Sequence, residues 1–94
     1  MVKQLAELLK RDGYEVHLFY EYHNRELGLD GEMDIYAVKG DEHEYHEIKG
    51  KNTPEQYEKA KEQFRRAKHA FPDRAWEFFY HTPHQSMRVT IKDD

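Results

Sequence analysis

Residues 33–49 read MDIYAVKGDEHEYHEIK. Two runs rich in β-branched and aromatic residues, 33–39 and 43–49, flank Gly40-Asp41. A glycine leading a two-residue connection suits a type II′ hairpin turn. Such a turn fixes the register: Lys39 faces Glu42, Tyr36 faces Tyr45, and Asp34 faces Glu47. Directly opposed side chains project from one face with their β-carbons about 4.5–5.5 Å apart. Lys49, two residues beyond Glu47, shares that face because successive side chains alternate. Two carboxylates so placed repel each other unless positive charge lies between them. The hairpin therefore predicts a cluster of two acids and a lysine, with Tyr36 and Tyr45 packed beneath it.

Working upstream, Val2, Leu5, Leu8 and Leu9 recur at helical spacing and Gly13 follows, predicting a helix over residues 2–12. Tyr14, Val16, Leu18, Tyr20 and Tyr22 then alternate, as in a half-buried strand. Residues 23–31 break that period with two glycines and several polar side chains, and read as a loop. Downstream, Thr53-Pro54-Glu55-Gln56 opens a second helix, with threonine at the cap, proline at the first helical position and glutamine completing a capping box. Tyr57, Ala60, Phe64, Ala67 and Phe71 supply its buried stripe, and Pro72 ends it. Residues 75–81 and 87–92 read as two further strands, joined across Thr82-Pro83-His84-Gln85. The expected order is α-β-β-β-α-β-β over a single domain, residues 1–94. Its class is α/β (α+β), a mixed central sheet flanked by two helices.

Composition narrows the chemistry. The absence of cysteine excludes disulfides, thiolate metal sites and cysteine nucleophiles. No apolar run approaches the roughly 18–20 residues of a membrane span, so a soluble, cytoplasmic protein without membrane contact is expected. Only 37% of the chain is apolar while 36% is charged. A core that thin often recruits a second copy, and a homodimer is expected. Charge is unevenly spread. Residues 1–48 carry 5 basic and 12 acidic side chains, whereas residues 49–74 carry 8 basic and 4 acidic ones. The pattern suits a polyanion over the central segment facing an acidic, cation-holding pocket.

That pocket suits a hard divalent cation. Mg²⁺ prefers oxygen ligands, commonly one or two carboxylates completed by water and substrate phosphate. A metal so held activates water and neutralises charge on a scissile phosphate, and a nearby lysine steadies the developing charge.

Gly31-Glu32-Met33-Asp34, followed after twelve residues by Glu47-Ile48-Lys49, resembles the PD-(D/E)XK nucleases, and the order of elements is similar to their restriction-endonuclease-like αβββαβ core. Glu47-Ile48-Lys49 is the only acid-x-lysine triplet in the chain. Among the branches of that superfamily the chain is most similar to archaeal-type Holliday junction resolvases and to VRR-NUC domains, the latter through Lys49-Gly50-Lys51 and Thr53-Pro54-Glu55-Gln56. The resemblance implies Asp34 and Glu47 as ligands of Mg²⁺ or Mn²⁺, the Ile48 carbonyl as a third, and Lys49 as the catalytic lysine. Met33 replaces the motif's proline. The acid the family draws from its first helix falls to Glu7, which lies off the inward stripe, with Glu32 as a rival. Lys51, Gln56, Lys59 and Arg66 are the expected substrate contacts, Gln56 serving equally well as a helix cap. The expected function is a metal-dependent endodeoxyribonuclease, structure-selective for branched DNA. A non-catalytic nucleic-acid-binding module of the same fold is one alternative, and a restriction or phage-defence nuclease is another.

The seven histidines read as structural or surface groups, since His43 and His46 point to opposite faces of a strand. Trp76, Phe78, Phe79 and Tyr80 read as an interior or dimer-forming strand rather than a base-stacking platform.

Overall fold

The structure is a computed structural model and describes residues 1–92. Its elements are α1 (Val2–Arg11), β1 (Glu15–Asn24), β2 (Leu29–Lys39), β3 (Glu42–Ile48), α2 (Pro54–Ala70), β4 (Ala75–Thr82) and β5 (Gln85–Val89). The strands form one sheet in the order β1-β2-β3-β4-β5. All neighbours are antiparallel except β3 and β4, which run parallel. Parallel strands need a long crossover, and α2 supplies it. The α+β class and the mixed sheet with two helices are as the sequence implies.

The β2–β3 turn forms as read. Gly40 has φ +59°, and Phe19 is the one non-glycine with positive φ among the described residues. Positive φ at the first turn position alone identifies type II′. The expected register holds from Lys39–Glu42 through Tyr36–Tyr45 to Ile35–His46, where the ladder ends, so the expected Asp34–Glu47 pair does not form.

Alternation then sorts the apolar side chains onto two faces. Tyr36, Tyr45, Phe78 and Tyr80 pack with Ala60, Phe64, Ala67 and Ala70 of α2. Ile35 and Ala37 pack with Leu9, beside Val2 and Leu5 of α1. The helices therefore cover opposite faces. Phe64 sits centrally in the larger cluster, its ring centroid 4.9 Å from those of both Tyr45 and Phe78.

Two expectations need correction. Residues 23–31 are not a loop: pairing continues through His23–Asp30 and Asn24–Leu29, leaving residues 25–28 as the turn. Gly31 reads as a breaker but lies inside β2, because a Cβ there would run into the Tyr22 ring across the ladder. The resulting arm is anchored where Asn24 Nδ2 donates to the Ala70 carbonyl at 2.9 Å and where Tyr22 meets Phe71 edge-on. The last strand is Gln85–Val89 rather than residues 87–92, because the Thr82–Gln85 pair closes a hairpin on Pro83-His84 alone.

A kink separates this arm from the rest of the sheet. Leu18 pairs with Ile35 and Tyr20 with Met33, while Phe19 and Asp34 between them do not pair. Ile35 and Val16 lie on the α1 side, yet Met33, Tyr20 and Tyr22 lie on the α2 side. Both strands thus change face at one level. Phe19, at φ +50°, takes up the change in a left-handed conformation that costs a non-glycine residue on the order of 1 kcal/mol.

Candidate active site

Asp34 stands at that kink, freed from the ladder. Its Oδ2 accepts a hydrogen bond from the Ile48 backbone N–H at 2.9 Å, which ties it to the end of β3. Glu47, one residue earlier, is only 3% exposed. Its Oε1 accepts from the Tyr45 hydroxyl at 3.1 Å, and its Oε2 is ion-paired with Lys49 Nζ at 3.0 Å. The Tyr45 hydroxyl also lies 3.2 Å from the Glu32 carbonyl of the arm. On the backbone, Lys49 N–H donates to the His81 carbonyl at 2.9 Å and fixes the strand end.

Burial pushes the Glu47 carboxyl above the usual carboxylate range and the Asp34 charge pushes it further, with Lys49 and Tyr45 pulling back only in part. Burial, and then Glu47, likewise raise the Tyr45 phenol, so it stays protonated and donates. The pair is electrostatically frustrated, with two acids and one lysine in a poorly solvated corner. A divalent cation relieves such a strain. Among the described residues no group of three or more His, Asp or Glu side chains is placed to hold a metal ion. A cation here would rest on the two carboxylates, with oxygens from the main chain, water and phosphate, a shell that fits Mg²⁺ or Mn²⁺. To admit it, Lys49 must release Glu47 Oε2.

The structure brings together Asp34, Glu47, Lys49 and the Ile48 main chain. It does not add Glu7, which is exposed on α1, the helix that covers the opposite face from Tyr45 and α2. Glu32 is exposed and offers its carbonyl to Tyr45 instead. Glu32 would share Asp34's face on a regular strand, but β2 changes face at Asp34. Thr53 caps α2: its Oγ1 accepts from the Gln56 backbone N–H at 3.2 Å. Lys51 is exposed and its carbonyl accepts from the Tyr80 hydroxyl at 3.3 Å. Lys59 and Arg66 are exposed on α2. His43, on the α2 side, bonds the Tyr36 hydroxyl at 2.7 Å in a packing role.

One polar group escaped the sequence reading. On the α1 face, Glu44 Oε2 accepts from the Tyr14 hydroxyl at 2.8 Å and Oε1 from His46 Nε2 at 2.7 Å. His46 Nδ1 lies 2.8 Å from His81 Nε2, and His81 Nδ1 lies 2.8 Å from Ser86 Oγ. Burial pushes Glu44 up, but the bonds from His46 and Tyr14 outweigh it and leave the carboxyl below its ordinary range. An ionised Glu44 only accepts, so His46 Nε2 donates to it. Alternation places Glu44 and His46 on one face. Their meeting with His81 and Ser86 depends on the β3–β4 and β4–β5 registers, which leave no local signal.

No family model matches the chain, and no curated protein matches it. Among solved structures it is similar to the crystal structure of a protein of unknown function, AF1548, with a TM-score of 0.60 and 22% identity over 86% of this chain. What the two share is the fold. The chain spans 45% of the length of that protein.

Proposed function

We propose that the chain is a Mg²⁺- or Mn²⁺-dependent endodeoxyribonuclease, selective for branched DNA and acting as a homodimer. The observation that carries this reading is the buried Glu47, set between a second carboxylate and a lysine at the end of a hairpin. A purely structural corner has no use for that repulsion, since one neutral amide would remove it. In this reading Asp34 and Glu47 hold the cation, and the Ile48 carbonyl supplies a further oxygen. The bound metal supplies Lewis-acid activation of water and of the scissile phosphate. Lys49, released from Glu47, faces the reacting phosphate and steadies its growing negative charge. Lys51, Lys59 and Arg66 extend a basic path for the phosphate backbone. The resemblance to junction resolvases supports DNA as substrate and branched DNA as its form. The homodimer follows from the thin core, and it would present two such corners to a two-stranded target.

The reading is tested by incubating the protein with labelled four-way junction, flap, duplex and single-stranded DNA, with Mg²⁺, with Mn²⁺ and with chelator. Cleavage of the branched substrates in either metal and none in chelator is the expected result. No cleavage of any substrate in either metal would overturn it.

A further inference from the structure

We infer that Phe19 is a substrate-contacting residue whose ring stacks on an unpaired nucleobase beside the scissile phosphate. The inference rests on the nuclease reading and deepens it by naming the feature of DNA that is recognised.

Three observations converge on Phe19. Its backbone lies at φ +50°, where glycine or asparagine is the ordinary choice. A phenylalanine retained there carries backbone strain that a glycine would remove. The residue is also 56% exposed, so burial returns little for the strain. The other four phenylalanines each pack against another ring: Phe64 on Tyr45, Phe71 on Tyr22, Phe78 on Phe64 and Phe79 on His46. Third, the pairs Leu18–Ile35 and Tyr20–Met33 leave Phe19 directly across from Asp34. An exposed, strained aromatic residue therefore sits on the strand next to the proposed metal ligand. Strain of this kind gathers at functional positions, where bound substrate recovers what the free protein loses.

The chemistry of the ring selects the partner. A phenyl group offers a flat apolar face and no hydrogen bonds, which suits stacking on a base of any identity and carries no sequence preference. In an intact duplex both faces of each base are already covered. At a flap or a single strand a base face is free without the cost of unstacking. Phe19 thus gives this small chain selectivity by DNA form rather than by sequence.

The experiment compares cleavage of a flap, a single strand and an intact duplex by wild type, Phe19→Ala, Phe19→Gly and Phe19→Trp, with melting temperatures for all four. Phe19→Gly suits the left-handed backbone, so it folds at least as stably as wild type and guards against loss through misfolding. The Ala and Gly variants are expected to cut the branched and single-stranded substrates about 10- to 100-fold more slowly at limiting substrate, in line with one lost base stack. Duplex cleavage stays unchanged, and the Trp variant retains the wild-type preference. Wild-type selectivity in both Ala and Gly variants, or equal losses on all three substrates, would overturn the role of Phe19 while leaving the nuclease reading intact. A wild-type protein that cuts nothing overturns the nuclease reading, and this inference with it.

Discussion

Lys49→Ala and Asp34→Asn are expected to lose activity together while moving stability in opposite directions. Lys49→Ala should slow metal-dependent cleavage about 100- to 1,000-fold, the loss usual for removing a group that meets charge in the transition state. Asp34→Asn should abolish measurable cleavage, since it neutralises one of two carboxylates proposed to hold the cation. The effect on folding follows from the Glu47 carboxyl. Taking away Lys49 leaves a carboxylate that is 3% exposed without its 3.0 Å counter-charge, so that variant melts lower. Taking away the Asp34 charge removes a repulsion, while asparagine keeps an oxygen for the Ile48 N–H, so that variant melts higher by about 1 kcal/mol of stability. Activity and stability then separate, which a general folding defect does not produce. Cleavage rates and melting temperatures of the two purified variants check it; wild-type cleavage in either variant would contradict the assignment.

The second large effect is on stability against pH. Burial, followed by the neighbouring His46, lowers the His81 imidazole from its ordinary 6.5 to about 4. The folded protein therefore holds fewer protons at this site than the unfolded chain between those two values. The sign follows directly: the contribution is complete above pH 6.5 and is lost as pH falls toward 4. Its size is about 3 kcal/mol. Glu44, lowered by the same network, adds a loss of the same sign at still lower pH. Glu47 acts oppositely, because burial and then the Asp34 charge favour its protonated form. Comparing wild type with His81→Gln cancels that term. Denaturant titrations at pH 7.5, 5.5 and 4.5 should show wild type weakening more steeply than the variant. Parallel curves would mean that His81 carries no such burden.

How much of this was legible in the sequence depends on how far each feature reaches along the chain. The β2–β3 hairpin was legible in register as well as position, because Gly40-Asp41 fixes both within two residues. The opening of α2 was legible because the Thr53 cap and Pro54 at the first helical position act on adjacent backbone groups. The arm was not. Gly28 and Gly31 look alike in sequence, yet one occupies a turn at φ +65° and the other makes room for Tyr22 within a strand. Nor was the kink legible: an alternating run from Val16 to Tyr22 gives no sign that the strand changes face at Phe19. At the candidate site, Asp34 and Glu47 come near each other as the register implies, but through a hydrogen bond from the Ile48 N–H to Asp34 rather than the facing pair the sequence suggests. Glu7 failed because its position relative to the site depends on which face α1 covers, a property of packing rather than of helical periodicity.

The most direct test of the central claim, that Asp34 and Glu47 together hold a divalent cation, is calorimetric titration of the DNA-free protein with Mn²⁺. Wild type should give a saturable isotherm that is lost in Asp34→Asn, with the metal raising the melting temperature of wild type alone. A wild-type titration with no saturable heat and no thermal shift at millimolar Mn²⁺, or an isotherm unchanged by Asp34→Asn, would contradict it.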